Sequence, residues 1–295
     1  VDILPQLLVS GFVAGGVYGL IALGFVIIYK ATSVINFAAG QFMAAGAFVC
    51  WTILSFSSAP IYLALLASIG FAVLLGVLVE RIILRPMIGE PIISVIMVTI
   101  GLASILIGLT HLIWGMEYRT YPRPIFPPQP LDIGFAVIPS GLLWGFIFAM
   151  GGMGIFMIFF KYFRTGVAMR ATASDQQVAM SMGISVKRIF ALTWSLAAVA
   201  SVVGGVVISN ISGISIYLGD IGLKVLAVII LGGLDSIGGA ILGGFIIGIL
   251  ENLIGVYLDP LVGGGTKDVA PYFVLVVILM IRPYGLFGKK IIERV

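Results

Sequence analysis

Charge is scarce in this chain. Asp, Glu, Lys and Arg make up 9% of its 295 residues, against roughly 25% in soluble domains, which excludes an ordinary water-facing globule. Cys50 is its one cysteine and lies in an apolar stretch, so neither a disulfide framework nor a cysteine-based metal site is available. His111 is the one histidine, and no HExxH, GxSxG or Cys/His cluster occurs; metal and intramembrane hydrolytic chemistry have no residues to work with. A GxxxxGKS/T loop is also missing. GGGTK at Gly263–Lys267 lacks that spacing and belongs to a loop expected outside, so it does not cradle ATP. No arginine-rich span reads as a voltage sensor, and no row of acidic groups crosses the apolar segments to relay protons or sodium. The short alternating segments of a β-barrel are lacking as well.

What remains is oil. Hydrophobic residues are 61% of the chain, the mean hydropathy is +1.22, and apolar runs long enough for about 30 Å of hydrocarbon recur throughout. The expected fold is all-α: one polytopic transmembrane helical bundle over residues 1–295, with about 8–10 membrane segments. Nine segments are legible: Leu7–Tyr29, Ile35–Leu54, Ile61–Leu84, Ile92–Trp114, Pro139–Tyr162, Ile189–Asn210, Ile221–Leu234, Ile237–Leu258 and Val269–Ile281. The first lacks the positively charged n-region and small-residue cleavage site of a signal peptide and reads as a span. The seventh is too short to cross comfortably and reads as broken or re-entrant, a form tolerated where protein surrounds it.

Basic residues in short loops orient such a chain. Lys161, Arg164, Arg170, Lys187 and Arg188 form one cluster, Arg81 and Arg85 a second, and Arg282, Lys289, Lys290 and Arg294 a third. Placing all three in the cytoplasm, with Lys30, puts the N-terminus outside and the C-terminus inside. The net charge of +4 follows from this topology and gives no reason to expect nucleic acid. The Pro-rich loop of about 115–138 then falls outside, carrying Arg119, Arg123, Glu117 and Asp132. Small residues at four-residue spacing in GFVAGGVYG (Gly11–Gly19), AAGQFMAAG (Ala38–Gly46) and GGAILGGFIIG (Gly238–Gly248) read as close-packing helix faces. The second and third each open a Gly-rich helix after a short polar turn, a weak sign of an internal repeat.

Polar residues at bilayer depth are few. Glu80 is expected to pair with or snorkel beside Arg81, and His111 to be packed or interfacial. Asp220 and Lys224 stand four apart, a spacing that allows pairing on one helix face. Glu251 and Asn252 lie deep enough to need partners. Asn36, Gly40 and Gln41 stand where a polar turn enters a Gly-rich helix and backbone donors can be free; with Asn210 they are candidates for a translocation path.

The longest polar stretch, Arg164–Leu192, is held between two spans. Ser174 and Gln177 form an S-x-x-Q capping box that predicts a helix start at Ser174, with Asp175 in the first turn and Gly183 as its left-handed stop. The resulting helix, Asp175–Met182, would set Val178, Ala179 and Met182 on one apolar face. So short a helix is marginal alone; docking of a cytoplasmic partner onto a loop of about 163–188 would fix it, and the alternative is an amphipathic linker resting on the membrane surface.

The segments INFAAGQFMAAGAF (Ile35–Phe48), ERIILRPMIGEPIISVIMVTIGLASIL (Glu80–Leu106), GVAMRATASDQQVAMSMGISVKRI (Gly166–Ile189), LGGLDSIGGAILGGFIIGILEN (Leu231–Asn252) and IRPYGLFG (Ile281–Gly288) resemble one family. It is that of the inner-membrane permeases of branched-chain amino-acid ABC importers, in its LivH-like branch. The resemblance implies a heterodimer with a LivM-like sister permease, two cytoplasmic ATPases that carry the ATP and Mg, and a periplasmic substrate-binding protein. This chain would then sit in the bilayer with no cofactor of its own and catalyse nothing. Ser174, Asp175, Gln177, Val178, Ala179, Met182 and Gly183 would form the helix that couples ATPase to permease. The resemblance departs at Phe37–Gly40, which reads FAAG where relatives read FAHG, and at Gln41. A channel or ion-coupled facilitator for a neutral solute such as urea or an amide is the alternative reading.

Overall fold

The computed structural model describes residues 3–57, 59–127, 129–132, 134 and 137–288. It is a bundle of helices, and among the described residues seven of them are long and apolar enough to cross a membrane. These are α1 (Ile3–Thr32), α2 (Ala39–Phe56), α3 (Ile61–Leu78, continuous through Met87), α4 (Ile92–Trp114), α5 (Ser140–Tyr162), α8 (Val186–Ser212) and α10 (Ile237–Tyr257). Between α5 and α8 lie α6 (Arg164–Ser174) and α7 (Gln176–Ser181). The seventh expected segment is α9 (Ile221–Gly232), 12 residues long and mostly buried, entered through a 3-10 turn at Ile216–Asp220. A four-residue helix α11 (Asp259–Val262) precedes α12 (Thr266–Ile281), whose 16 residues include Pro271.

α1, α2 and α8 form the centre of the bundle, whereas α3, α4 and α5 turn side chains such as Leu66, Ile93 and Ile155 outward. That exposure is the ordinary state of a helix whose solvent is lipid. Two of the small-residue faces meet each other. A Cβ placed on Gly15 would lie 2.5 Å from the Gly244 carbonyl, and one on Gly248 would lie 2.5 Å from that of Gly11. The α1 and α10 backbones therefore touch, which supplies the van der Waals attraction that lipid cannot provide by exclusion. The third face divides its partners, with Gly46 under the Val202 side chain and Gly40 against Gly219 and Gly222.

The last turns of α3 are wound differently from the rest. Val79–Leu84 is a π-helical turn, followed by a 3-10 turn at Arg85–Met87. Its i→i+5 register joins the Arg85 N–H to the Glu80 carbonyl, and it sets the two side chains together as well. Arg85 Nη2 donates to Glu80 Oε2 at 2.8 Å and Arg85 Nε to Oε1 at 3.1 Å. The expected partner, Arg81, is thus replaced by Arg85, because the wide turn brings residues five apart onto one face.

Contacts sort the connections into two ends. At one end Tyr29, Lys30, Arg170, Ser174 and Asp235 share a cleft, and Thr32, Glu90 and Gln176 share another. The C-terminal turn closes on the same end through Leu286 N–H to the Leu231 carbonyl (2.8 Å) and Phe287 N–H to that of Gly232 (3.0 Å). Lys289, Lys290 and Arg294 of the third basic cluster lie outside the described residues. At the opposite end the 115–138 loop packs down. It carries a two-stranded hairpin of β1 (Leu131–Asp132) and β2 (Val137–Ile138), and the Gln6 amide binds both the N–H and the carbonyl of Val137. Arg119 exchanges backbone hydrogen bonds with Ile214, and its guanidinium lies 4.2 Å from the Trp51 ring.

Candidate functional site

The polar stretch begins with a helix the sequence reading did not anticipate. α6 lies against the end of α5: a Cβ on Gly166 would sit 2.6 Å from the Phe159 carbonyl, and the Arg170 guanidinium donates to that of Phe160. Met169, 1% exposed, packs in a small core with Ile27, Phe160 and Ile189. Ser174 is the last residue of α6 and not the start of the next helix. Its hydroxyl donates back to the Arg170 carbonyl (3.2 Å), so the S-x-x-Q capping box does not form.

Asp175 caps α7 instead. Its backbone is extended, and its carboxylate accepts from the Gln177 N–H at 2.8 Å and the Val178 N–H at 3.0 Å. An ionised acceptor makes the stronger bond to those two donors, and the Ser174 hydroxyl is already engaged. At the other end Gly183 takes φ +82°. Ile184 N–H reaches the Ala179 carbonyl (3.0 Å) and Gly183 N–H that of Met180 (2.9 Å), a Schellman closure. Met182 lies beyond the helix, whose six residues are fewer than the sequence indicated.

The apolar face also differs in membership. Ala179 is 2% exposed and turns inward, while Val178, Met180 and Met182 are 59%, 54% and 78% exposed. Sequence reasoning passed over Met180, because one and a half turns set no periodicity. α7 is therefore pinned through Ala179, and the helix with the residue after it leaves three large apolar side chains exposed.

The second candidate set gathers only in part. Residues 33–38 link α1 to α2 through a bend at Ser33, φ +57°, and a turn at Phe37–Ala38, and they reach α2 beside the 3-10 turn before α9. A Cβ on Gly40 would lie 2.0 Å from the Gly219 carbonyl, and one on Gly219 would lie 2.2 Å from Gln41 Nε2. Asn36 is 1% exposed; its Oδ1 accepts from the Ala38 N–H at 3.0 Å, and its Nδ2 is buried with no acceptor among the described residues. The backbone donors expected to be free are mostly engaged, since the N–H groups of Ala39, Gln41 and Phe42 bond to carbonyls of residues 36 and 38. Asn210 is not brought into this group: its Oδ1 accepts from the Ile125 N–H (3.2 Å) and its amide lies beside Gly141. Gly219, Gly222 and Thr99, whose hydroxyl accepts from the Phe37 N–H (3.4 Å), complete the junction. They lie too far off in sequence to be read as neighbours.

A third polar assembly unites residues the sequence had kept apart. Lys224 on α9 donates to Glu251 on α10 at 2.9 Å and to Asp268 on α12 at 2.6 Å. The Tyr18 hydroxyl of α1 donates to the other Glu251 oxygen at 2.8 Å. The expected Asp220–Lys224 pair is not made, because Asp220 belongs to the 3-10 turn and the helical register begins only after it.

With this geometry established, its relatives are informative. A family profile described as "Branched-chain amino acid transport system / permease component" matches residues 7–281. The chain belongs to this family. It is 30% identical to the high-affinity branched-chain amino acid transport system permease protein LivH of Escherichia coli K12, over 98% of this chain and 97% of that one. Identity to the corresponding protein BraD of Pseudomonas aeruginosa is also 30%, with the same coverage. Among solved structures, PsaBC from Streptococcus pneumoniae in complex with Fab aligns with a TM-score of 0.50 at 16% identity, over 94% of this chain and 91% of that one. That likeness concerns the fold alone. The chain is thus a multi-pass membrane protein of a family of transport permeases.

Proposed function

We propose that this chain is the permease subunit of an ATP-driven importer that carries branched-chain or other apolar amino acids inward across a bacterial inner membrane. The observation that carries this reading is α7: a capped, anchored helix that, with the residue after it, leaves Val178, Met180 and Met182 exposed. Exposed apolar side chains on an otherwise polar element mark a docking surface. A cytoplasmic ATPase, holding the ATP and Mg, is its partner, and motion of α7 passes into the bundle through α6 and the small core under Met169. Support for the orientation, N-terminus outside and C-terminus inside, comes from Lys30, Arg85, Arg170 and Arg282 gathering at the α7 end.

A LivM-like sister permease completes the membrane unit, and a periplasmic binding protein delivers the solute to the opposite end. The amino-acid reading draws on the names of the E. coli and P. aeruginosa relatives. The junction of Asn36, Gly40 and Gln41 with Gly219 is the candidate for the moving part of the path, since Gly–Gly contact lets α2 and the α9 turn slide without side-chain collision.

The test is Met182→Asp in a chain expressed with its neighbouring genes. ATPase co-purification should be lost while membrane insertion is unchanged; retained association overturns the docking assignment. Leucine uptake that collapses with an uncoupler while ATP is maintained would instead favour an ion-coupled carrier.

A further inference from the structure

At the end opposite α7, helices α1, α5, α8, α9, α10 and α12 enclose a cavity of about 490 Å³, within the range of small-molecule sites. Its lining joins the polar Lys224, Glu251, Asp268, Asn252 and Lys267 to the aliphatic Val17, Ile208 and Ile221. Its mouth lies where α8 ends and α12 begins, beside the exposed Ser212 and Lys267. A structural ion pair needs no such space. Nor does a buried pair stabilise more than apolar packing of the same volume, and ionisable groups at membrane depth point to function by default.

Both signs of charge line the cavity. One ammonium, Lys224, bonds the two carboxylates Glu251 and Asp268, and a second, Lys267, stands at the mouth. Lys224 uses two of its three N–H groups on those carboxylates, and with the Asn252 amide the third is available to an anionic group. The site therefore offers acceptors for an ammonium, donors for a carboxylate, and an aliphatic wall. We propose that this cavity is a transit site for a zwitterionic α-amino acid with an aliphatic side chain, held on its way from the outer face to the Gly40–Gly219 junction. The proposal rests on the permease reading above and names residues for its substrate.

The test uses the assembled transporter in proteoliposomes. Cys50 is the chain's one native thiol and is buried, so Ser10→Cys, with Leu142→Cys as a second position should the first misfold, reports on the cavity without touching the groups assigned to the substrate. Labelling by a charged maleimide is measured with L-leucine, with isoamylamine and with isovalerate. Leucine should slow labelling at least fivefold, and each single-charge analogue by less than twofold. Equal labelling with and without leucine overturns the site; protection by either analogue as strong as leucine's overturns the zwitterion class. Ala14→Leu, which fills the cavity without touching the charges, should lower leucine uptake at least tenfold with the complex intact; wild-type uptake in this variant overturns the transit role. Failure of the unmodified complex to take up leucine would count against the importer reading, and the labelling would still decide the cavity.

Discussion

At one end of the bundle Val178, Met180 and Met182 stand exposed on and just after a short polar helix; at the other, Lys224 and Glu251 are folded away between apolar ones. Each end breaks the usual partition of side chains, in opposite directions and by different means. The exposed apolar trio is held by local devices, the Asp175 cap and the Gly183 closure, all within ten residues of one another in the chain. The buried charges are held by residues 27 and 44 positions apart. Loss of a local device should therefore damage one short helix, whereas loss of a long-range partner should loosen three helices at once.

Lys224→Met puts this contrast under the greatest strain. It leaves Glu251, 4% exposed, without its counter-charge, and stability in detergent should fall by about 3–5 kcal/mol. The double variant Lys224→Met/Glu251→Gln should recover most of that loss in the same unfolding assay. A deficit unchanged in the double variant would show that packing, not charge, holds α9 to α10. Next in size is Gly244→Leu, which drives a side chain into the α1 backbone at Gly15 and Gly19. A loss of about 1–3 kcal/mol is expected by unfolding, and a neutral result would mean the two helices separate freely.

Asp175→Ala should act only locally. Removal of an N-cap costs about 1 kcal/mol, so amide exchange at Gln177 and Val178 should quicken several-fold while α8 keeps its protection. Spread of the effect into α8 would erase the contrast between local and long-range construction. The smallest effect concerns pH. Asp259, beyond the end of α10, has its carboxyl held below the usual range, chiefly by the hydrogen bond from the Thr266 hydroxyl and also by the N–H groups of Thr266 and Lys267, against the opposing influence of burial. Because the folded value is depressed, this contribution is present above about pH 3.9 and is lost as pH falls through the lower folded value. Exchange at the Thr266 and Lys267 amides should rise in that acidic window, and an equal rise after Asp259→Asn at neutral pH would confirm the cause.

Much of the architecture was legible because hydrocarbon imposes a simple rule. Twenty or so apolar residues must be helical to satisfy their own backbone, and the small-residue spacing of α1 and α10 announced close contact before their pairing was known. The short seventh segment was legible for the same reason. What was misread is instructive. The capping-box pattern pointed to Ser174, and its consensus could not show that Ser174 would end α6 with its hydroxyl turned back to Arg170. Adjacency pointed Glu80 to Arg81, and helical spacing pointed Lys224 to Asp220; a π turn in one case and a 3-10 turn in the other changed the register on which those expectations stood. The candidate path was half legible, since Asn36, Gly40 and Gln41 share a turn, but the glycines opposite them come from residues 219 and 222.

The sequence by itself determined that this chain lives in a membrane, how many apolar segments it has, and which polar stretch stays outside the oil, because each depends on transfer free energy summed along a continuous run. Tertiary structure alone decided which glycine face meets which, which of the apolar side chains on α7 turn outward, and that Lys224, Glu251, Asp268 and Tyr18 share one site. Those outcomes depend on backbone separations of a few ångströms and on hydrogen-bond registers between segments far apart in the chain. No local pattern encodes them, because the free energy that selects each one belongs to the contact between segments.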